Sequence, residues 1–135
     1  MLTDQSVFVY GTLKPGGHYW PQFCEGKVSA VMPAKIRGEL YDLHVGYPGV
    51  FMRGEAWVQG TVLTFPRKHD FEQLDVLEGF EPGRAVDENE YLRLRVDCFD
   101  PDGEPLGKVW AYEMTEATFR RFAGTRIADG NWTIG

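Results

Sequence analysis

Serine, cysteine and histidine are all scarce in this chain of 135 residues, and each scarcity closes off a kind of chemistry. The only serines are Ser6 and Ser29, and neither lies in the strand–turn–helix elbow that a serine nucleophile needs. Cys24 and Cys98 could pair in principle, but a chain of this length does not need a staple, and two scattered cysteines fit a reducing compartment. Cys24 with His18 as a thiol–imidazole pair has no local signature behind it. His18, His44 and His69 are dispersed without zinc-type spacing, and no phosphate-binding glycine motif is present. No metal and no cofactor is expected. There is no run of Lys or Arg, and 14 basic residues face 20 acidic ones for a net charge of -6, which argues against a nucleic-acid partner. The same acidity disfavours anionic membranes. No apolar run approaches the roughly 18 residues of a membrane span, and Met1 to Gln5 carry an acid where a signal peptide would carry a basic patch. A cytoplasmic protein without a membrane partner is the expectation.

What is present suits one domain covering 1–135, able to bury roughly two-thirds of its unfolded surface. Hydrophobic residues make up 43% and aromatics 14%, so the core should be rich in Phe, Tyr and Trp. Trp20, Trp57, Trp110 and Trp132 read as core or pocket wall. Val7-Phe8-Val9-Tyr10 is an all-apolar run that ends at Gly11 and leads to Pro15-Gly16-Gly17, a buried strand entering a loop. Lys35 to Leu43 alternates imperfectly and is followed by a turn at Gly46-Tyr47-Pro48-Gly49. Ala56 to Phe65 is β-branched and aromatic, hence strand. Leu92 to Val96 alternates strictly, with its charges on one face. Asp100-Pro101-Asp102-Gly103 is a turn, and Val109 to Tyr112 is the returning strand of a hairpin. One helix begins at Asp70, with Gln73 in capping-box position, and stops at Gly79; another runs from about Thr115 to Ala123 and stops at Gly124. Strands dominate and no long helices alternate with them, which argues against a doubly wound parallel sheet. The expected class is α+β: a small mixed sheet curled into a β-barrel with short flanking helices.

Two places could carry chemistry. At 100° per residue, Phe71, Leu74 and Leu77 share one stripe of their helix, and Glu78 lies on it too, with Glu72 and Asp75 to the side. A carboxyl at the end of a core-facing stripe is costly to desolvate and should have a raised pKa. Alternatively Glu78, as a helix-end residue, swings into solvent. The second place is Tyr10-Gly11-Thr12-Leu13. Consecutive backbone N–H groups at such a turn can form a nest for an anion or a developing oxyanion, and Gly11 lets backbone and ligand approach closely. An ordinary strand-ending turn is the other reading.

The stretch Val7 to Gly16 resembles the opening strand and loop of the gamma-glutamylcyclotransferase-like family. Leu40 to Gly49 is similar to the family's second landmark, and Leu74-Asp75-Val76-Leu77-Glu78-Gly79 to its helix, whose last acid is the catalytic one. Asn89-Glu90-Tyr91-Leu92-Arg93 and Val109 to Tyr112 match later strands, and Gly130-Asn131-Trp132 resembles a closing Gly-Asp-Trp element. The landmarks run in order over nearly the whole chain. The resemblance implies a small mixed β-barrel and acid/base chemistry by Glu78. It implies substrate contacts from Tyr10, Gly11, Thr12 and Leu13, mostly through backbone, with Tyr112 a further pocket residue and Tyr91 and Arg93 structural. Asn131, where an acid is commoner, puts only local ion pairing in question. The implied reaction is intramolecular aminolysis of a small-molecule gamma-glutamyl compound, releasing 5-oxoproline and an amine, without a cofactor. A non-catalytic small-molecule-binding protein of the same fold, or another gamma-glutamyl acyl transfer, are the alternatives.

Overall fold

The apolar run at the start of the chain forms β1 (Ser6–Val9), whose four residues are all buried. A strand buried on both faces must sit at the centre of a layered structure. In the computed structural model, which describes residues 2–133, β1 does so. It pairs antiparallel with β5 (Trp57–Thr64), Val9 opposite Thr61, and parallel with β7 (Pro105–Met114), Phe8 opposite Ala111. β2 (Ala30–Arg37) lies along the other edge of β5, and β6 (Tyr91–Phe99) forms the hairpin with β7. A single β2–β6 pair, Lys35 opposite Phe99, completes a closed barrel in the order β1-β5-β2-β6-β7. The structure is thus a small α+β protein built on a mixed barrel.

The hairpin turn is held as its Asp-Pro-Asp-Gly sequence predicts: Oδ1 of Asp100 accepts from the N–H groups of Asp102 and Glu104, and Gly103 takes φ 91°. The alternation in β6 does not sort inside from outside as expected. Leu94 is exposed, while Arg93 is largely covered, its guanidinium 4.9 Å from the Phe71 ring and 4.7 Å from that of Trp110. The run from Lys35 to Leu43 is also not one strand. It breaks at Gly38, where an added Cβ would stand 3.1 Å from the Phe51 carbonyl oxygen. Beyond it β3 (Glu39–Asp42) joins a second sheet, in the order β4-β3-β8, with β4 (Pro48–Phe51) and β8 (Thr125–Arg126). The upstream half of β2 escaped prediction because Pro33 breaks a strand pattern. It is tolerated because the one β2–β6 pair leaves most of that side of β2 without a partner.

The helices are α1 (Trp20–Phe23), α2 (Lys68–Leu77) and α3 (Glu116–Phe122). α1 is a single turn, too short to show a helical period. α2 starts two residues before the expected Asp70. Its N-cap is Arg67 in extended conformation, and Asp70 lies in the first turn, where a negative charge suits the helix dipole. The capping box expected from Asp70 and Gln73 therefore does not form. α3 begins after Thr115, whose Oγ1 accepts from the Thr118 N–H, and ends at Ala123 in the left-handed region. Phe71 and Leu74 of α2 enter a core with Val7, Leu63, Phe65 and Met114, each burial contributing about 2–3 kcal/mol. That burial fixes the rotation of α2, and with it the direction of its last residues. Among the described residues no helix is long and apolar enough to cross a membrane.

Candidate active site

The C-terminal end of α2 is closed by two backbone bonds: Gly79 N–H donates to Val76 O at 3.3 Å and Phe80 N–H to Asp75 O at 2.9 Å. Gly79 takes φ +65° between them. This is the Schellman arrangement, in which a glycine in the left-handed region ends the helix at the residue before it. That residue is Glu78, whose own N–H still donates to Leu74 O at 2.9 Å. A helix end locked in this way, with Phe80 packed against the core, does not fray. Glu78 is thereby aimed into a pocket rather than into solvent.

The pocket encloses about 120 Å³. Its walls include Tyr10, Gly11, Thr12 and Leu13 from the loop after β1, Tyr47 and Pro48 from the start of β4, and Tyr112 from β7. Tyr19, Glu90 and Tyr91 add to the polar lining, and among the described residues no Lys, Arg or His is part of it. Protein crowds Glu78 on nearly every side, leaving a partial opening to the pocket. Burial, and then the nearby carboxylates of Glu90 and Asp75, push its pKa from the ordinary 4.5 to about 8. No hydrogen bond or basic group pulls it back down.

The loop after β1 supplies the complementary feature. Its carbonyls are used internally, Gly11 O accepting from Lys14 N–H and Thr12 O from Tyr19 N–H. Among the described residues, the N–H groups of Gly11, Thr12 and Leu13 have no protein acceptor. Three successive free donors beside a pocket are what an anion or oxyanion requires. Gly11 has a steric reason that the sequence reading did not contain. A Cβ there would lie 2.7 Å from Pro48 Cδ, so glycine is needed for the loop to pack on β4, and φ at Gly11 is not positive.

Hydrogen bonds hold the surrounding tyrosines. Tyr10 Oη donates to Tyr112 O at 2.6 Å, and Tyr91 Oη to Pro48 O at 2.7 Å, fixing two walls to each other. Tyr112 Oη donates to Asp75 Oδ1 at 2.6 Å, and Arg93 Nη1 stands 3.6 Å from Asp75 Oδ2. Asp75, placed to the side of the stripe by the helical wheel, is thus the anchor of Tyr112; burial raises its pKa despite these partners. Tyr91 holds the fold as expected but also lines the pocket. The sequence reading missed Tyr19, Tyr47, Pro48 and Glu90. Tyr47 and Pro48 lie in the quoted Leu40–Gly49 stretch and Glu90 in the quoted Asn89–Arg93 stretch, but nothing in residue type alone marked them as pocket wall.

The alternatives based on other side chains do not assemble. Cys24 is buried, with its Sγ 3.8 Å from Leu13 O, and burial pushes its thiol up to about 12, far from a thiolate. His18 is exposed and stacks edge-on against Tyr19. Among the described residues no group of three or more His, Cys, Asp or Glu side chains could hold a metal ion. At the C-terminal end, Gly130 packs where a Cβ would meet Trp57 O, and its carbonyl accepts from Gln59 N–H at 2.8 Å. Asn131 is exposed, and the nearby cation, Lys14, donates instead to Trp132 O at 2.7 Å.

Several solved structures share this barrel. YkqA from Bacillus subtilis superposes with a TM-score of 0.66 at 21% identity over 94% of this chain, which spans 39% of that protein's length. A uropathogenic E. coli-specific protein gives 0.67 at 18% identity, covering 97% of this chain and 94% of the other. An aig2-like protein from Mus musculus gives 0.61 at 16% identity, covering 95% and 87%. At these identities the likeness concerns the fold. No curated protein sequence matches the chain. The family model "Gamma-glutamyl cyclotransferase, AIG2-like" matches residues 7–134, and the chain belongs to that family.

Proposed function

We propose that this protein is a gamma-glutamyl cyclotransferase that releases 5-oxoproline and a free amine from a small gamma-glutamyl compound, with Glu78 as its single acid/base. The observation that carries this reading is the pairing of an enclosed, partnerless carboxyl, raised to about 8, with the free N–H groups of Gly11, Thr12 and Leu13 in one pocket. A group with a pKa near neutrality can both take and return a proton.

The substrate's α-ammonium gives a proton to Glu78. The freed lone pair attacks the γ-carbonyl carbon, closing a five-membered ring while the carbonyl electrons move onto oxygen. The backbone N–H groups of the loop receive that negative charge. When the carbonyl re-forms, the bond to the leaving nitrogen breaks and Glu78 protonates it. Two protons leave the attacking nitrogen in all, and the released amine ends with both. Folding the substrate in a closed pocket brings amine and carbonyl together. Tyr10 and Tyr112 hold the walls and orient the loop. The reaction needs no cofactor, and the buried free thiols Cys24 and Cys98 suit a reducing, cytoplasmic setting.

The test is a panel of gamma-glutamyl amino acids and amines assayed for 5-oxoproline in oxygen-18 water. Unlabelled 5-oxoproline is expected. Labelled free glutamate as the first product would mean hydrolysis, and binding without any product would mean a non-catalytic member of the family.

A further inference from the structure

We propose that Glu90 is the residue that receives the substrate's α-ammonium and holds it beside Glu78. This inference rests on the gamma-glutamyl reading of the pocket and adds to it a second carboxylate with a separate task.

Glu90 is fixed against Glu78 by the backbone. Its N–H donates to Gly79 O at 3.1 Å, and its carbonyl accepts from Thr115 N at 3.0 Å and Thr118 Oγ1 at 2.9 Å. A Cβ added to Gly79, the residue next to Glu78, would stand 3.2 Å from Glu90 Cβ and Cγ and 3.5 Å from its carboxyl carbon. The side chain of Glu90 thus lies flat along the turn that presents Glu78. While its main chain is bound at both ends, its carboxylate forms no ion pair or side-chain hydrogen bond with any described residue. It lines the same pocket as Glu78.

Two partnerless carboxyls in one pocket, with no cation among the described residues of its wall, cannot both ionise without cost, and burial magnifies that cost. A ligand that enters with a positive charge relieves it. The other groups facing Glu90 do not. Tyr47 and Tyr91 are phenols held neutral by burial, and both lie close enough to Glu90 to be pushed further up by it. Arg121 of α3 is near enough to Tyr47 to act on it but forms no ion pair with Glu90, and the Arg84 guanidinium is occupied by Asn89 Oδ1 and Gly79 O. The pocket therefore joins the Glu90 carboxylate, beside the α2 end, with the free N–H donors of the loop after β1. A gamma-glutamyl group carries its ammonium and its carbonyl oxygen in that complementary order. Glu90 stabilises the cation, and Glu78, beside it, exchanges the proton.

The test uses L-glutamine and glutaramic acid, which differ only in the α-ammonium, titrated by calorimetry into Glu78→Gln protein so that no turnover intervenes. L-Glutamine is expected to bind at least about tenfold more tightly. Adding Glu90→Gln should erase the preference, and Glu90→Asp should keep part of it. In protein with Glu78 intact, Glu90→Gln should raise KM more than it lowers kcat. It should also move the acid limb of kcat to lower pH, because removing the neighbouring negative charge lets Glu78 ionise more easily. A preference for L-glutamine that survives Glu90→Gln would overturn the assignment of the ammonium to Glu90 while leaving the gamma-glutamyl reading intact. If neither ligand binds the Glu78→Gln protein, the gamma-glutamyl reading fails, and this inference with it.

Discussion

Replacing Glu78 by glutamine separates its chemical role from its structural cost. The amide keeps the shape of the carboxyl, so the Schellman turn at Gly79 and the contacts of Leu74 and Phe80 remain. It cannot take a proton, so kcat should fall by roughly 100-fold or more, the usual scale for losing a general acid–base. Stability should change in the opposite direction, with a definite pH dependence. In the folded chain Glu78 titrates near 8, against an ordinary value of 4.5. A folded-state pKa raised above the unfolded one gives stability that is complete below the unfolded value and is lost as pH rises to the folded value. Glutamine has no such loss. The stability of Glu78→Gln relative to the parent should therefore grow from about pH 4.5 to about pH 8 and then level off. At about 1.4 kcal/mol per pH unit, the gain between about pH 5 and about pH 8 is on the order of 4 kcal/mol. Urea unfolding of both proteins at several pH values measures it directly, and turnover on the same samples measures the catalytic loss. A folded mutant with parental kcat would refute the acid/base role. A difference in stability that does not vary with pH would refute the raised pKa, and so the enclosure of Glu78.

Gly11→Val should destabilise the protein by about 1–3 kcal/mol through the clash with Pro48 and raise KM as the loop N–H groups shift; parental melting and KM would show that the loop is free to move away. Tyr112→Phe removes the hydroxyl that donates to Asp75 and leaves a buried carboxylate short of one partner. It should lower stability by about 1–3 kcal/mol with a smaller effect on kcat than Glu78→Gln, as read from thermal midpoints and turnover; a loss of kcat as large as that of Glu78→Gln would give Tyr112 a direct part in proton transfer. Turnover after exhaustive chelation should equal that of untreated protein; activity lost on chelation and restored by zinc or magnesium would contradict a carboxyl-only mechanism.

Local pattern was enough to place much of this protein. Although α3 stops on Ala123, one residue before the expected Gly124, the apolar run of β1, the β-branched run of β5, the Asp-Pro-Asp-Gly hairpin turn and the glycine stop of α2 are set by interactions within a few residues of chain, and these are legible one segment at a time. The same is true of Glu78 on the buried stripe of α2, because a helical period is a local property. What the sequence could not show is how distant segments meet. Lys35 to Leu43 reads as one unit, yet its halves part at Gly38 into different sheets, with the Phe51 backbone packed close enough there to crowd any side chain. Gly11 looks like a residue kept small for a ligand, yet it also makes room for Pro48, which lies 37 positions away in the chain. Asp75 looks like a bystander on the helical wheel until barrel closure brings Tyr112 and Arg93 to it. Glu90 gains its place beside Glu78 only because the chain from Gly79 to Glu90 folds back on itself through a backbone hydrogen bond. Local period and turn chemistry determine elements and the faces they bury. The pocket, its missing cations and the raised pKa of Glu78 arise from desolvation and from charges brought together across the fold, and only the tertiary structure decides those.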